Sequence, residues 1–191
     1  MLRRAFLAVV PPPAVLRWTE SLVDSARRID DTAAPRLRWT SPEQRHLTLQ
    51  FLGPVADSAT ESLTESLTES VRRTPSFTLA LGGAGAFPSA RRASVVWVGV
   101  ATGTEELGEL AGAITAATAP LGFATEDRPF RAHLTLARVN RARDLRALVD
   151  QLSERPPCPP FTVDRVVLFD SDTRAEGAVH TERARLELGG R

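Results

Sequence analysis

The chain reads as an α+β protein of two similar lobes related by a pseudo-twofold, each lobe a mainly antiparallel sheet covered by helices, with a cleft between them. Three observations lead there. The tetrad His-Leu-Thr-Leu occurs twice, at positions 46–49 and 133–136, a little under half the chain apart. Two of the three histidines open it, and by composition a given His is followed by Leu-Thr-Leu with odds on the order of one in a thousand. Strand-like and helical patterns are mixed in both halves, a poor match to tandem βαβ units with long parallel strands. Finally, 191 residues with 42% hydrophobic and 25% charged content support an ordinary domain with a sizeable core. That domain is expected to span residues 1–191 as two interleaved lobes.

Arg4–Val10 is an apolar run stopped by Pro11-Pro12-Pro13, hence a buried strand. Ala14–Ile29 places Val15, Leu16, Leu22, Val23, Ala26 and Ile29 at helical spacing. Arg36–Thr40 is short and extended, and Arg45–Leu52 is a strand ended by Gly53-Pro54. In Asp57–Arg73 a Thr-Glu-Ser-Leu repeat stacks Leu63, Leu67 and Val71 into one apolar stripe on a helix with an acidic, solvated face. Ser76–Leu81 and Ser94–Val100 are strands separated by the glycine-bearing loop Gly82–Arg92. Thr104–Ala119 is an Ala-rich helix, Arg131–Val139 a strand and Asp144–Leu152 a short helix. Pro156–Pro160 is a stiff connector, and Phe161–Phe169 and Val179–Leu188 are strands.

The formal net charge is +1, so no field of one sign dominates and an extended duplex is a poor partner; a local basic cleft and a short RNA end remain compatible. The chain has no Lys, so all 24 basic side chains are Arg. Adenylyl-lysine ligases, Schiff-base enzymes and Lys-dependent P-loop NTPases are thereby excluded. Arg, with its planar fork, is the better phosphate grip. Cys158, the single cysteine, lies within Pro-Pro-Cys-Pro-Pro and rules out an intramolecular disulfide or a Cys-based metal site. The apolar run near the N-terminus is too short for a signal h-region, and no stretch approaches a membrane span. A cytoplasmic protein with no membrane partner is expected.

On a strand, residues two apart share a face. His46 therefore sides with Thr48, and His133 with Thr135, while Leu47, Leu49, Leu134 and Leu136 point into the core. If the halves pack about a pseudo-twofold, two imidazoles and two hydroxyls meet in one cleft. Such a set suits a phosphoryl centre: one imidazole takes a proton from water, the other gives one to the leaving oxygen, and the hydroxyls donate to non-bridging oxygens. The competing readings are satisfied structural histidines and a zinc site, the latter lacking a clear carboxylate or Cys partner. Parity also puts Phe51 on the core side of its strand. Arg138 reaches the cleft only if its strand ends or bulges, whereas Arg131 has the right parity already. His180, with no Leu-Thr-Leu after it, reads as a surface or edge residue.

The residues also carry a family resemblance along nearly the whole chain. Arg4–Ala8, Arg38-Trp39, Glu43–Gly53, Gly83–Pro88, Val96–Val100, Arg128–Arg138 and Phe161–Phe169 together resemble the two-histidine phosphoesterases. Within these the chain is most similar to the RNA 2′,3′-cyclic phosphodiesterases, once called 2′-5′ RNA ligases. The resemblance implies metal-free, cofactor-free hydrolysis of an RNA 2′,3′-cyclic phosphate end to a 2′-phosphate. It makes His46 the proton donor to the leaving 3′-oxygen and His133 the base that activates water. Thr48 and Thr135 would hold the phosphate, Arg138 would add a charged clamp with Arg131 as its competitor, and Phe6 and Phe51 would pack near the terminal nucleotide. A monomer acting on a cyclic nucleotide or an RNA end is expected. The alternatives are a module that binds the same end without turning it over, and an ATP-independent 2′-5′ ligase running the reverse reaction.

Overall fold

The computed structural model describes residues 1–29, 37–124, 129–174 and 177–190. Its elements run β1 (Leu2–Val9), α1 (Pro13–Ile29), β2 (Arg38–Trp39), β3 (Leu47–Val55), α2 (Asp57–Arg72), β4 (Phe77–Phe87), β5 (Ala93–Thr102) and α3 (Thr104–Thr118). Then follow β6 (Leu134–Arg143), α4 (Arg146–Ser153), β7 (Phe161–Val163), β8 (Arg165–Arg174) and β9 (Gly177–Glu187). Arg36, the expected start of the short strand, lies outside the described residues.

The strands form one sheet in the order β7-β4-β5-β6-β3-β1-β8-β9, with β2 also paired to β6. Every pairing between these strands is antiparallel. The order is symmetric about the β6–β3 junction, where Leu47 pairs with Leu134. These are the second residues of the two tetrads, so the pseudo-twofold expected from the repeat passes between them. The strands β1, β3, β8 and β9 lie on one side of this junction, and β4 to β7 on the other.

Hydrophobic spacing explains the helices. Leu63, Leu67 and Val71 of α2 are fully buried, as are Leu107, Leu110 and Ile114 of α3. The two helices pack on each other, with α2 against β9 and α3 against β3, while α4 covers β4 and touches α1. Leu47, Leu49, Leu134 and Leu136 join the same continuous core. The proline cluster is more than a connector: the Cys158 backbone N–H donates to the Leu81 carbonyl at 2.9 Å, and the Leu81 N–H donates to Cys158 Sγ at 3.1 Å.

Several boundaries differ from the sequence expectation. The strand expected over Phe161–Phe169 is two, β7 and β8, parted at Asp164 so that one pairs with β4 and the other with β1, and the strand expected from Arg131 begins at Leu134 and runs to Arg143. Gly53-Pro54 does not end β3, which runs on to Val55. The pairing with β1 slips between Leu2 and Ala5, opposite this dipeptide, and Gly53 sits at φ +74°, so an irregular step accommodates a proline that lacks an N–H. Likewise Gly82–Phe87 is strand, not loop. Gly85 lies opposite Trp97, and a Cβ there would fall 2.2 Å from the indole. The glycine makes room for an aromatic ring laid across β4.

Candidate active site

His46 immediately precedes β3 and His133 immediately precedes β6. In each tetrad the leucines are buried while His and Thr are half-buried on the opposite face. The Leu47↔Leu134 pairing therefore brings His46, Thr48, His133 and Thr135 to one face around the pseudo-twofold, as the alternation required.

Beyond the threonines, both strands bulge at the same point of the motif. The β1–β3 register passes from Ala8↔Thr48 to Leu7↔Gln50, and the β5–β6 register from Trp97↔Thr135 to Val96↔Ala137. One residue is added in each strand, so the next positions keep to the face of the threonines. Phe51 then stands opposite Phe6 and Arg138 opposite Val95. The bulge brings Arg138 to the cleft face. It also corrects the parity assignment of Phe51, which is 43% exposed with the Arg4 guanidinium 5.7 Å from its ring centroid. The two motifs thus present a benzyl ring and a guanidinium at equivalent places.

Each imidazole stands among aromatic rings. His46 stacks on Phe6 at 4.7 Å, with Phe169 behind and His180 edge-on at 5.1 Å. His180 does lie on an edge strand, β9, but it is turned toward the site: it packs against Phe6 as well as His46, and its Nδ1 is buried without a hydrogen-bond partner. Around His133, Phe87 lies edge-on at 4.9 Å and Trp97 tilted at 6.3 Å. Arg131 lies over the Trp97 and Phe87 rings at 4.7 and 5.5 Å, so it is held beside His133 by cation–π contact.

Backbone carbonyls two residues upstream orient both rings. His133 Nδ1 is 2.8 Å from the Arg131 carbonyl. A carbonyl only accepts, so Nδ1 carries the proton and the neutral ring keeps Nε2 as its basic nitrogen. The Gln44 carbonyl plays the matching part for His46 and favours its charged form. That preference loses to burial, the largest effect, and to the charges of His180, His133 and Arg138, which together push His46 down to about 4. Burial also lowers His180.

Sequence reasoning missed a supporting network. Arg45, beside His46, is 2% exposed. Its guanidinium pairs with Glu20 and donates to Thr19 Oγ1 at 3.0 Å and to the Thr40 carbonyl at 2.7 Å. Thr40 Oγ1 in turn lies 2.9 Å from the Thr135 carbonyl and 3.0 Å from that of Leu136, at the bulge. One buried cation therefore ties α1 and the first tetrad to the second. The only signal in the sequence was its place next to His46.

A family model, that of the 2′-5′ RNA ligase superfamily, matches residues 11–175. The chain belongs to this superfamily. Among its relatives, an RNA 2′,3′-cyclic phosphodiesterase of Methanothermobacter thermautotrophicus is 30% identical over 94% of this chain and 95% of its own. Another, from Thermotoga maritima, is 32% identical over 93% and 91%. Among solved structures, Escherichia coli LigT complexed with 3′-AMP superposes with a TM-score of 0.74 at 26% identity, covering 98% of this chain and 99% of its own. The family expectation drawn from the tetrads and their flanking blocks is met, and with it the two-lobed fold.

Proposed function

We propose that the chain hydrolyses a terminal 2′,3′-cyclic phosphate on RNA to a 2′-phosphate by metal-free acid–base catalysis. The observation that carries this reading is the convergence of two His-x-Thr pairs on one face about Leu47↔Leu134. His133, with Nδ1–H held by the Arg131 carbonyl, takes a proton from water through Nε2 as the water oxygen bonds to phosphorus. The P–O3′ bond breaks, and His46 delivers its proton to the leaving 3′-oxygen. Thr48 and Thr135 donate to the non-bridging oxygens, and Arg138 and Arg131 offset the charge that develops there. Phe51, exposed on the cleft face, packs near the terminal nucleotide, whereas Phe6, 3% exposed, acts from behind as the ring on which His46 stacks. The products leave His46 neutral and His133 charged, and exchange with solvent restores both.

The low pKa of His46 fits an acid that is armed by its substrate. In the free site its cationic form is opposed by burial and by neighbouring positive charge. An arriving phosphate reverses the sign of that field and raises the affinity for the proton. Among the described residues no group of three or more His, Cys, Asp or Glu is arranged to hold a metal ion, and no helix is long and apolar enough to cross a membrane. We take residues 1–191 as one domain of two interleaved lobes, monomeric because one chain supplies the whole cleft, and working in the cytoplasm.

The test is an assay in EDTA with adenosine 2′,3′-cyclic phosphate and a short RNA bearing the same end. A 2′-phosphate product is expected, with His46→Ala and His133→Ala each lowering turnover by about 10²–10⁴. Full activity in either variant, or binding of the end with no product, would overturn the reading. Adding a 5′-hydroxyl RNA and finding no joined product counts against ligation.

A further inference from the structure

We infer that Arg38, with the fork of Arg138 shared between it and the reacting phosphate, forms a second phosphate subsite, which takes the phosphodiester one nucleotide upstream of the cyclic end and makes the enzyme prefer an RNA terminus over a cyclic mononucleotide. The inference rests on the phosphodiesterase reading above and names its substrate class.

Arg38 on β2 and Arg138 on β6 are direct register partners. Directly opposed residues share a face, so their guanidiniums rise side by side, and like charges so placed repel. Both are exposed, and among the described residues neither enters an ion pair with a carboxylate. An anion between them would turn the repulsion into a two-pronged grip, since each fork can bind two oxygens.

The pair is aimed at the cleft. The bulge that places Arg138 opposite Val95 puts it on the face of Trp97 and Thr135, and its charge is felt at His46. Arg38 shares that face, while its neighbour Trp39, opposite Ala137, packs on the core. The backbone of β2 is fixed there by Thr40, whose N–H and hydroxyl both bond the Leu136 carbonyl. With the extra bulge residue absorbed, Arg138 lies about 7 Å along the strand from Thr135. That is the reach of one nucleotide step along an extended single strand. A cyclic mononucleotide has no phosphate to fill this place; a dinucleotide with a cyclic end has one.

The experiment compares adenosine 2′,3′-cyclic phosphate with a dinucleotide bearing the same end, for the unmodified protein, Arg38→Gln, Arg38→Lys, and Arg72→Gln on the distant helix α2. The unmodified protein should favour the dinucleotide, and Arg38→Gln should cut the ratio of the two kcat/KM values about tenfold, the worth of one charge-assisted contact. The loss should fall on KM, and Arg38→Lys should restore part of it. Binding of a 3′-phosphorylated dinucleotide should show a log Kd against log salt slope shallower by about 0.7 in Arg38→Gln, as loss of one single-strand phosphate contact requires. Arg72→Gln should move neither readout. Cleavage of both substrates with an unaltered ratio and an unaltered salt slope in Arg38→Gln overturns the subsite but leaves the phosphodiesterase reading standing. Cleavage of neither overturns that reading, and the salt slope then still decides whether Arg38 holds a phosphate.

Discussion

The depressed pKa of His46 has a consequence for folding that is separable from catalysis. An unfolded chain carries this histidine near its ordinary value of about 6.5, whereas the folded site holds it at about 4. Between these values the unfolded state binds more protons, so stability rises with pH across that window and is lost as pH falls. The full gap corresponds to about 3 kcal/mol, of which about 2 kcal/mol is expressed between pH 7.5 and pH 5. Replacing His46 by Gln, of similar reach but without a titrating proton, should remove that share. The assay is urea unfolding at a series of pH values for both proteins. Carboxylates titrate in both and cancel in the difference; His180 is lowered by its own burial and contributes to both as well. The expected result is a wild-type stability that falls on acidification by about 2 kcal/mol more than that of His46→Gln. Parallel stability profiles would refute the argument that burial and neighbouring positive charge hold His46 neutral.

Three further outcomes follow from the same geometry. Inorganic phosphate binding in the cleft should raise the His46 pKa toward its ordinary range, read from the imidazole resonances in a pH titration; an unmoved His46 would mean that the anion sits elsewhere. Gly85→Ala should cost about 1–3 kcal/mol, the usual scale for overpacking, and should displace Trp97, visible as altered tryptophan fluorescence, because its Cβ would lie 2.2 Å from the indole; a neutral substitution would show that the ring position is not fixed by that contact. Arg45→Leu should destabilise by about 1–3 kcal/mol through the unsatisfied Thr19 and Thr40 groups and should lower kcat with little change in KM; wild-type kcat would show that this network does not position the motifs.

Much of this site is legible in the residues themselves. The tetrads announce two strands with leucine inside and His and Thr outside, and burial follows that alternation residue by residue. The helices α2 and α3 are readable because a single apolar stripe at helical spacing has one way to be covered. The glycines ahead of Phe87 are not, since a glycine that admits a ring from the neighbouring strand looks in sequence like a glycine in a loop. His180 reads as a surface or edge residue and does lie on the edge strand, but its place in the site is hidden for a related reason: nothing adjacent in the chain marks a residue whose neighbours, Phe6 and His46, arrive from the other end.

The sequence by itself determined the repeat, the alternation, the all-arginine basic set and the chemistry two imidazoles can perform, because each is a property of residue types and of spacing within one strand. Tertiary structure alone decided which groups meet. The bulges that carry Arg138 and Phe51 to the cleft are properties of a register between two strands, and no single strand encodes how its partner counts. The depressed His46 likewise reflects burial and charges that converge from β6 and β9, since an electrostatic field depends on distance in space and not on distance along the chain.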